Sequence, residues 1–207
     1  KGGGILRLKE YSTENETSTS FEHISINNST LTDNAVYCFA PGSMNKLWIG
    51  TENGINYYLY KSKQLKTFTV TADGKKVKYV HSIHELNDTT LWVSTVGEGI
   101  VKIILNKNGI APTVKSATRI ILDGGRLASN YFFTSFQEND SILWFGNRGY
   151  GAHRLNLETG KFTPYKFDNI VNSQMANDIF AIYKNENGYW FATSSGLLHF
   201  NQEDSQH

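Results

Sequence analysis

Four short segments of this sequence share one pattern and recur at nearly even intervals. Each segment is a pentad in which an apolar residue, a tryptophan, a second apolar residue, a small residue and a polar residue follow one another. The pentads occupy residues 47–51, 91–95, 143–147 and 189–193, so their tryptophans are 44, 52 and 46 residues apart. Repeats of roughly 40 to 50 residues, each long enough for four short strands, are typical of β-propellers. The repeat therefore predicts an all-β fold of radial four-stranded sheets, or blades.

Other runs around each pentad supply the remaining strands of a blade. An apolar run precedes each tryptophan, at 36–39, 80–83, 132–136 and 179–182, and a glycine opens another run after it, at 54, 99, 151 and 196. Fourth strands are predicted at 67–70, 119–122 and 162–165. Turns such as 40–43 and 185–188 separate the first and second strands. The sequence thus predicts antiparallel meanders, with the recurring glycines in tight turns that need positive φ.

The repeat also divides the chain into units. Complete blades are predicted at 27–70, 71–122 and 123–167, partial blades at 2–26 and 168–200, and a tail at 201–207. The first partial blade has third and fourth strands and the last has first to third strands, so one composite blade would contain a redundant third strand. We therefore expect about four to five four-stranded blades from a larger ring. Because both flanks are open, we also expect the chain to associate with another copy.

Charge, cysteine content and histidine spacing argue against nucleic-acid binding, an internal disulfide and a metal site. Twenty basic and 19 acidic side chains leave a net charge of +1, which offers no electrostatic footprint for nucleic acid. The single cysteine, Cys38, excludes an internal disulfide and is expected to be a small buried side chain. His81 and His84 are three apart in a predicted strand, hence on opposite faces, which argues against a metal site. No catalytic residue, metal or cofactor is predicted.

The residues of the repeat resemble a known family. The resemblance rests on Leu-Thr-Asp-Asn at 31–34, the first pentad, the Gly-Ile pair that follows it, and Thr-Gly-Lys-Phe-Thr-Pro-Tyr at 159–165. Together they resemble the two-component regulator propeller repeat. The chain departs from the usual residues of that repeat at Ser94, Ala192 and Asn147.

The resemblance implies a location and a role. It implies part of a seven-bladed propeller in the periplasmic sensor region of a Bacteroides-type hybrid two-component system. The usual signal of such sensors is an oligosaccharide derived from a complex glycan. The histidine kinase of such a protein would lie outside these 207 residues, so the chain itself is expected to be non-catalytic, with the remaining blades and an oligosaccharide as its partners.

One rim of the predicted ring is the candidate binding face. In a meander, the loop before the first strand and the turn after the second lie at the same end of the blade, and loops carry function more often than strands. A sugar-binding site needs aromatic rings for the apolar faces of the sugar and polar or charged groups for its hydroxyls. Arg148 and Tyr150 are therefore the preferred pair of ligand-binding residues. The full candidate set is Arg148, Tyr150, Arg126, Asn130, Asn34, Glu52, Asn53 and Glu98. The tryptophans, at one equivalent position per blade, are predicted to pack between blades with the indole N–H bonded internally.

Two other functions are also compatible with the sequence. A polysaccharide-active propeller enzyme would need converging acid and base or nucleophile residues near the axis, and the predicted inner strands at 36–39 and 132–136 contain almost none. An interaction scaffold like the WD-repeat proteins would share the fold. The chain lacks the Gly-His and Trp-Asp dipeptides of that repeat.

Overall fold

A computed structural model describes residues 2–9, 20–107, 110–121, 129–169 and 173–201. Apart from one short helix, α1 (Ser173–Ala176), the regular secondary structure of these residues consists of antiparallel sheets. The first sheet has two strands, β1 (Ile5–Leu8) and β2 (Phe21–Ile24). Three four-stranded sheets and one three-stranded sheet follow. Their strands are β3 (Val36–Gly42), β4 (Lys46–Thr51), β5 (Gly54–Leu59) and β6 (Gln64–Phe68); β9 (Val80–Asn87), β10 (Thr90–Thr95), β11 (Ile100–Leu105) and β12 (Val114–Ile120); β13 (Phe132–Asn139), β14 (Ile142–Asn147), β15 (Ala152–Asn156) and β16 (Phe162–Tyr165); and β17 (Ile179–Asn185), β18 (Gly188–Thr193) and β19 (Gly196–Phe200).

The sheets are meanders arranged side by side around an axis. Within each sheet the strands pair in chain order. The first strands of successive sheets are neighbours, β3 beside β9, β9 beside β13 and β13 beside β17, so they form the inner edge. This arrangement confirms the predicted β-propeller. The boundaries between blades and the seven-bladed ring stay predictions.

The apolar core lies between successive sheets. One cluster joins Trp48 and Tyr57 to Val93 and Val101 of the next sheet. A second joins Trp92 to Phe145 and its neighbours, and a third joins Trp144 to Tyr189 and Phe191. Each of these three tryptophans therefore packs against the following sheet, as the repeat predicts.

The indole N–H groups have different surroundings in the four sheets. Trp48 Nε1 donates to the carboxylate of Glu85 in the next sheet, and Trp144 Nε1 donates to Glu138 Oε2 at 2.7 Å. Trp92 is buried, but its Nε1 has no hydrogen-bond partner among the described residues. Trp190 is only half-buried, and its ring contacts that of His199 with centroids 4.3 Å apart and planes tilted by 32°. The first three tryptophans thus share a packing role, but the predicted internal hydrogen bond of the indole N–H forms only at Trp48 and Trp144 among them.

The small residue of the pentad lets the next sheet approach closely. A Cβ on Gly50 would lie 2.6 Å from the carbonyl oxygen of Val80 in β9 and 2.5 Å from Cys38 Sγ. Ser94, at the equivalent position one sheet on, instead brings its hydroxyl to 3.4 Å from the carbonyl oxygen of Thr134. A serine is accommodated there because its side chain has a polar partner on the neighbouring strand.

The last residue of the pentad closes the turn after the second strand. Thr51, Thr95 and Thr193 each donate a hydroxyl hydrogen bond to the carbonyl of the glycine that opens the third strand, at 3.0, 2.6 and 2.9 Å. Asn147 takes this position in one sheet and accepts a hydrogen bond from Ser129 Oγ at 2.8 Å instead. The turn glycine itself is required: Gly151 has φ of 72°, and a Cβ there would lie 2.0 Å from the carbonyl oxygen of Tyr165.

Some strand limits differ from the sequence expectation. The first strand β3 continues through residues 40–42, so the predicted turn at 40–43 lies later, and Met44 and Asn45 adopt φ of 55° and 56°. Pro41 is tolerated within β3 because β3 is an edge strand of its sheet. The fourth strand predicted at 67–70 instead spans β6, and a short hairpin, β7 (Thr71–Ala72) and β8 (Lys75–Lys76), follows it. Periodicity alone does not locate turns to better than a few residues.

Candidate ligand-binding rim

The loops before the first strands and the turns after the second strands form one continuous rim. The rim comprises residues 32–35, 52–53, 78–79, 96–98, 129–131, 148–150, 177–178 and 194–195. Backbone hydrogen bonds link these loops from sheet to sheet: Tyr79 N donates to Glu52 O at 2.8 Å and Gly97 N donates to Asn130 O at 2.9 Å. The predicted candidates that the structure describes all lie on this rim.

Three of the predicted candidates hold the rim in shape. Asn34 Oδ1 accepts a hydrogen bond from Ile26 N at 2.9 Å. Asn53 Nδ2 donates to Asp33 Oδ2 at 2.7 Å. The backbone carbonyl of Asn130 accepts from two backbone N–H groups of the turn at 97–99, both at 2.9 Å. These contacts give each asparagine a structural task on the rim.

The two acidic candidates differ in their partners. Glu98 Oε2 forms an ion pair with Arg119 Nη1 at 2.7 Å, and the Arg119 side chain is largely buried. Glu52 Oε2 accepts a hydrogen bond from the Tyr37 hydroxyl at 2.9 Å. Burial and this hydrogen bond raise the pKa of Tyr37 to about 12, so its hydroxyl stays a donor at neutral pH. Glu98 is therefore engaged away from the axis, whereas Glu52 lies beside a ring of the inner strand.

Arg148 and Tyr150 lie together on one exposed turn. The backbone N–H of Arg148 donates to the Tyr131 carbonyl at 3.0 Å, and both candidate side chains are exposed. The ammonium of Lys166 lies 5.0 Å from the centre of the Tyr150 ring. Arg126 lies outside the described residues. The structure thus brings the preferred pair together, and ligand binding by any candidate stays a prediction.

Four rings on the inner strands were not among the predicted candidates. The register of each first strand shifts by one residue near its start, so that one extra residue on that strand faces no partner on the second strand. Such β-bulges re-aim a side chain. The four bulge residues are Tyr37, His81, Phe133 and Phe180. We call this set the aromatic row.

The members of the aromatic row contact one another across the sheets. Tyr37 stacks on His81 with ring centroids 4.2 Å apart and planes 20° apart. His81 meets Phe133 at 5.7 Å, and Phe133 meets Phe180 at 5.0 Å. The rings therefore run around the axis beside the rim, from β3 to β17.

A sequence signal for the aromatic row does exist. Each ring lies 11 residues before the tryptophan of its own blade, or 10 in the last blade. An apolar run predicts a strand but not a bulge, because a bulge depends on the register with the partner strand. The row was missed for that reason.

Polar side chains of neighbouring inner strands contact one another on the side of the row away from the rim. Ser82 Oγ lies 2.7 Å from Ser135 Oγ, and His84 Nε2 lies 3.0 Å from Gln137 Oε1. Burial lowers the pKa of the His81 and His84 imidazoles. The two histidines contact different residues, and the described part of the chain contains no group of three or more His, Cys, Asp or Glu side chains arranged to hold a metal.

Cys38 lies beside the row on β3. Its side chain is partly buried against the core between the second and third sheets. Burial raises the pKa of its thiol to about 12, so the thiol is protonated at neutral pH. It behaves as the small apolar side chain that its sequence context predicts.

Comparisons with known proteins agree with this architecture. Residues 30–53 match the family model described as two component regulator propeller. The chain is 26% identical over 193 residues to histidine kinase P4 of Formosa agariphila, an alignment that covers 88% of this chain and 13% of the kinase. Within the described residues, no helix is long and apolar enough to cross a membrane.

Solved structures show the same fold. The extracellular domain of BT4673 of B. thetaiotaomicron, described as a hybrid two-component system, superposes with a TM-score of 0.75 at 18% identity, covering 98% of this chain and 28% of that domain. That of BT3049, described likewise, gives a TM-score of 0.67 at 22% identity and covers 91% and 25%. The chain thus spans about a quarter of each domain. Residues 30–53 thus match the two-component regulator propeller model, and the described part of the chain has a β-propeller fold.

Proposed function

We propose that this chain is a non-catalytic, ligand-binding part of the sensor region of a two-component receptor, and that its ligand is an oligosaccharide derived from a complex glycan. The observation that carries the proposal is the match of residues 30–53 to the two-component regulator propeller, in a chain that aligns with a histidine kinase over 88% of its length. Because the superposed domains are extracellular, we also propose a periplasmic location. Further blades of a seven-bladed ring and the kinase would belong to other parts of the same receptor.

The rim has the side chains that sugar recognition needs. Tyr150 and Tyr131 are exposed phenol rings that can cover the apolar face of a sugar. The Arg148 guanidinium presents donors to hydroxyl or carboxylate groups, and Glu52 presents an acceptor. A ligand that spans the rim could contact more than one of these groups, which favours an oligosaccharide over a single sugar.

The surroundings of two inner-strand carboxylates favour binding over hydrolysis. A glycosidase needs an acid and a base on opposite sides of one bond. Glu85 is instead held by Trp48, by the backbone N–H of Ser43 at 2.9 Å and by Lys46 Nζ at 3.9 Å. Glu138 is held between sheets by Trp144 and Lys184. Both are committed to packing between sheets.

Calorimetric titration with an oligosaccharide panel tests the proposal. The panel contains neutral hexose, pentose and uronate-containing tetrasaccharides, and each is titrated into this chain and into the full-length product of its gene. We expect saturable binding of at least one class. The double variant Arg148→Ala, Tyr150→Ala should weaken it at least tenfold, whereas Lys61→Ala, on the turn after β5 at the opposite end of the sheet, should not.

Two results would contradict this assignment. Saturable binding to neither protein across the whole panel would remove the oligosaccharide proposal. Hydrolysis or elimination products in the same samples would show a polysaccharide-active enzyme in place of a sensor.

A further inference from the structure

The aromatic row has a geometry that core packing does not require. In three of the four bulged strands the residue just before the row is fully buried: Val80, Phe132 and Ile179. These side chains already supply the core between sheets. The extra residue at each bulge is therefore not needed for that core, and its own side chain is directed toward the axis. In all four sheets that side chain carries a ring.

The rings of the row are not hidden from solvent. Tyr37 is 38% exposed and Phe180 is 47% exposed, while His81 and Phe133 are half-buried. Exposed apolar surface that is contiguous across several elements commonly marks a binding site. The ring-to-ring contacts of 4.2 to 5.7 Å make the surface continuous over four sheets.

Polar groups border this surface on both sides. On the rim side, Glu52 accepts the hydrogen bond from the Tyr37 hydroxyl. On the other side, the hydroxyl pair of Ser82 and Ser135 lies next along the inner strands. An apolar surface between carboxylate and hydroxyl groups matches a molecule that is apolar on its faces and hydroxylated around its edge.

From this arrangement we propose that the aromatic row binds the oligosaccharide, with one pyranose ring stacked on its apolar surface and Glu52, at the Tyr37 end of the row, accepting a hydrogen bond from a hydroxyl of a neighbouring sugar unit. This inference rests on the proposed function and names where on the inner strands the sugar sits. Phe180 and Phe133 supply the stacking surface. Tyr37 orients Glu52 through its hydroxyl and is a positioning residue as well as a wall of the site.

Ring-removing substitutions that keep the apolar bulk test the proposal. Phe180→Leu and Phe133→Leu are titrated with the panel oligosaccharide that the unaltered chain binds, in parallel with Tyr60→Leu. Tyr60 is an exposed tyrosine, 52% exposed, on the turn after β5 and away from the row. We expect each Phe variant to raise the Kd about tenfold, the effect of losing one aromatic contact. Tyr60→Leu should leave it unchanged.

Two further readouts separate stacking from folding. Thermal unfolding of each variant checks that the fold is kept, and Phe180→Leu is the more informative variant because its ring is the more exposed. Saturation-transfer NMR should show the strongest transfer to the C–H protons of one sugar ring, and Phe180→Leu should reduce it. Tyr37→Phe keeps the ring but removes the hydrogen bond to Glu52, and we expect a smaller loss, about threefold.

The outcomes distinguish this inference from the proposed function. If the unaltered chain binds an oligosaccharide and the folded Phe variants bind it equally well, the aromatic row is only packing and the inference is wrong, while the sensor proposal stands. If no oligosaccharide binds, both fail. If saturation transfer reaches an aromatic compound such as indole and is reduced by Phe180→Leu, while no sugar ring shows transfer that depends on Phe180, the row recognises planar rings and the pyranose assignment is wrong.

Discussion

Replacing Gly50 by alanine should force two neighbouring sheets apart. An added Cβ would lie 2.5 Å from Cys38 Sγ, 2.6 Å from Val80 Cγ1 and 2.6 Å from the Val80 carbonyl oxygen. The thiol could rotate, but Val80 is fully buried and its backbone pairs with Thr95 in the sheet. The strand that carries it must therefore move.

The expected cost follows from two opposing effects. Overpacking a well-packed core costs about 1–3 kcal/mol, and a clash with backbone belongs at the upper end. Alanine in a strand regains about 0.5–1 kcal/mol relative to glycine. The net loss in the free energy of unfolding should be about 2 kcal/mol. For a domain of this size that lowers Tm by roughly 4–8 °C.

Thermal and urea unfolding, followed by tryptophan fluorescence and circular dichroism, measure this loss. Ser94→Ala is the matched control, because position 94 already carries a Cβ and loses only a hydroxyl 3.4 Å from Thr134 O. We expect a change below about 1 kcal/mol there. A Gly50→Ala variant with an unchanged or higher Tm would refute the close-approach argument.

Three further predictions concern buried charge and exposed surface. Burial lowers the pKa of His153 to about 4, so between pH 6.5 and 4 the unfolded chain takes up a proton that the folded chain does not. The free energy of unfolding should therefore fall by about 3 kcal/mol as the pH is lowered from 6.5 to 4. Urea unfolding measured as a function of pH should show a flatter profile for His153→Asn. Burial alone would raise the pKa of Glu138, but hydrogen bonds from Trp144 and Lys184 hold the pKa below its usual value. The ionised carboxylate therefore stabilises the fold above the ordinary carboxyl pKa, and this stabilisation is lost as the pH falls through the lowered pKa. Glu138→Ala should lower the free energy of unfolding by about 2–3 kcal/mol at pH 7, and Glu138→Gln should lower it less. Equal stability of both variants and the unaltered chain would contradict a stabilising role for the hydrogen bonds of Glu138. Three apolar side chains of the first and last sheets are at least 60% exposed: Leu6, Phe21 and Leu197. The isolated chain should therefore self-associate. A light-scattering mass of the monomer alone, or an oligomer mass that Leu6→Glu leaves unchanged, would argue against these surfaces as contacts.

The periodic part of the fold was predictable from local pattern. Trp48, Trp92 and Trp144 lie in second strands, whose pentads are buried almost throughout because a sheet packs on each face. A residue that must fill the same space in every blade recurs at the same position. This recurrence is visible in a sequence without any knowledge of contacts.

The roles of the candidate residues were predictable only in part. The rule that the loop before the first strand and the turn after the second share one end of a meander located the rim. It did not reveal that Glu98 pairs with Arg119, 21 positions away, or that Asn53 pairs with Asp33, 20 positions away. Ion pairs and side-chain hydrogen bonds between loops depend on distances that folding creates.

The sequence by itself determined the all-β fold and the antiparallel order of strands within the blades, because strand periodicity and turn residues act over a few neighbours. The tertiary structure alone decided which side chains face the axis. Tyr37, His81, Phe133 and Phe180 face it because each first strand slips by one residue against its partner, and a register between two strands is a property of the pair.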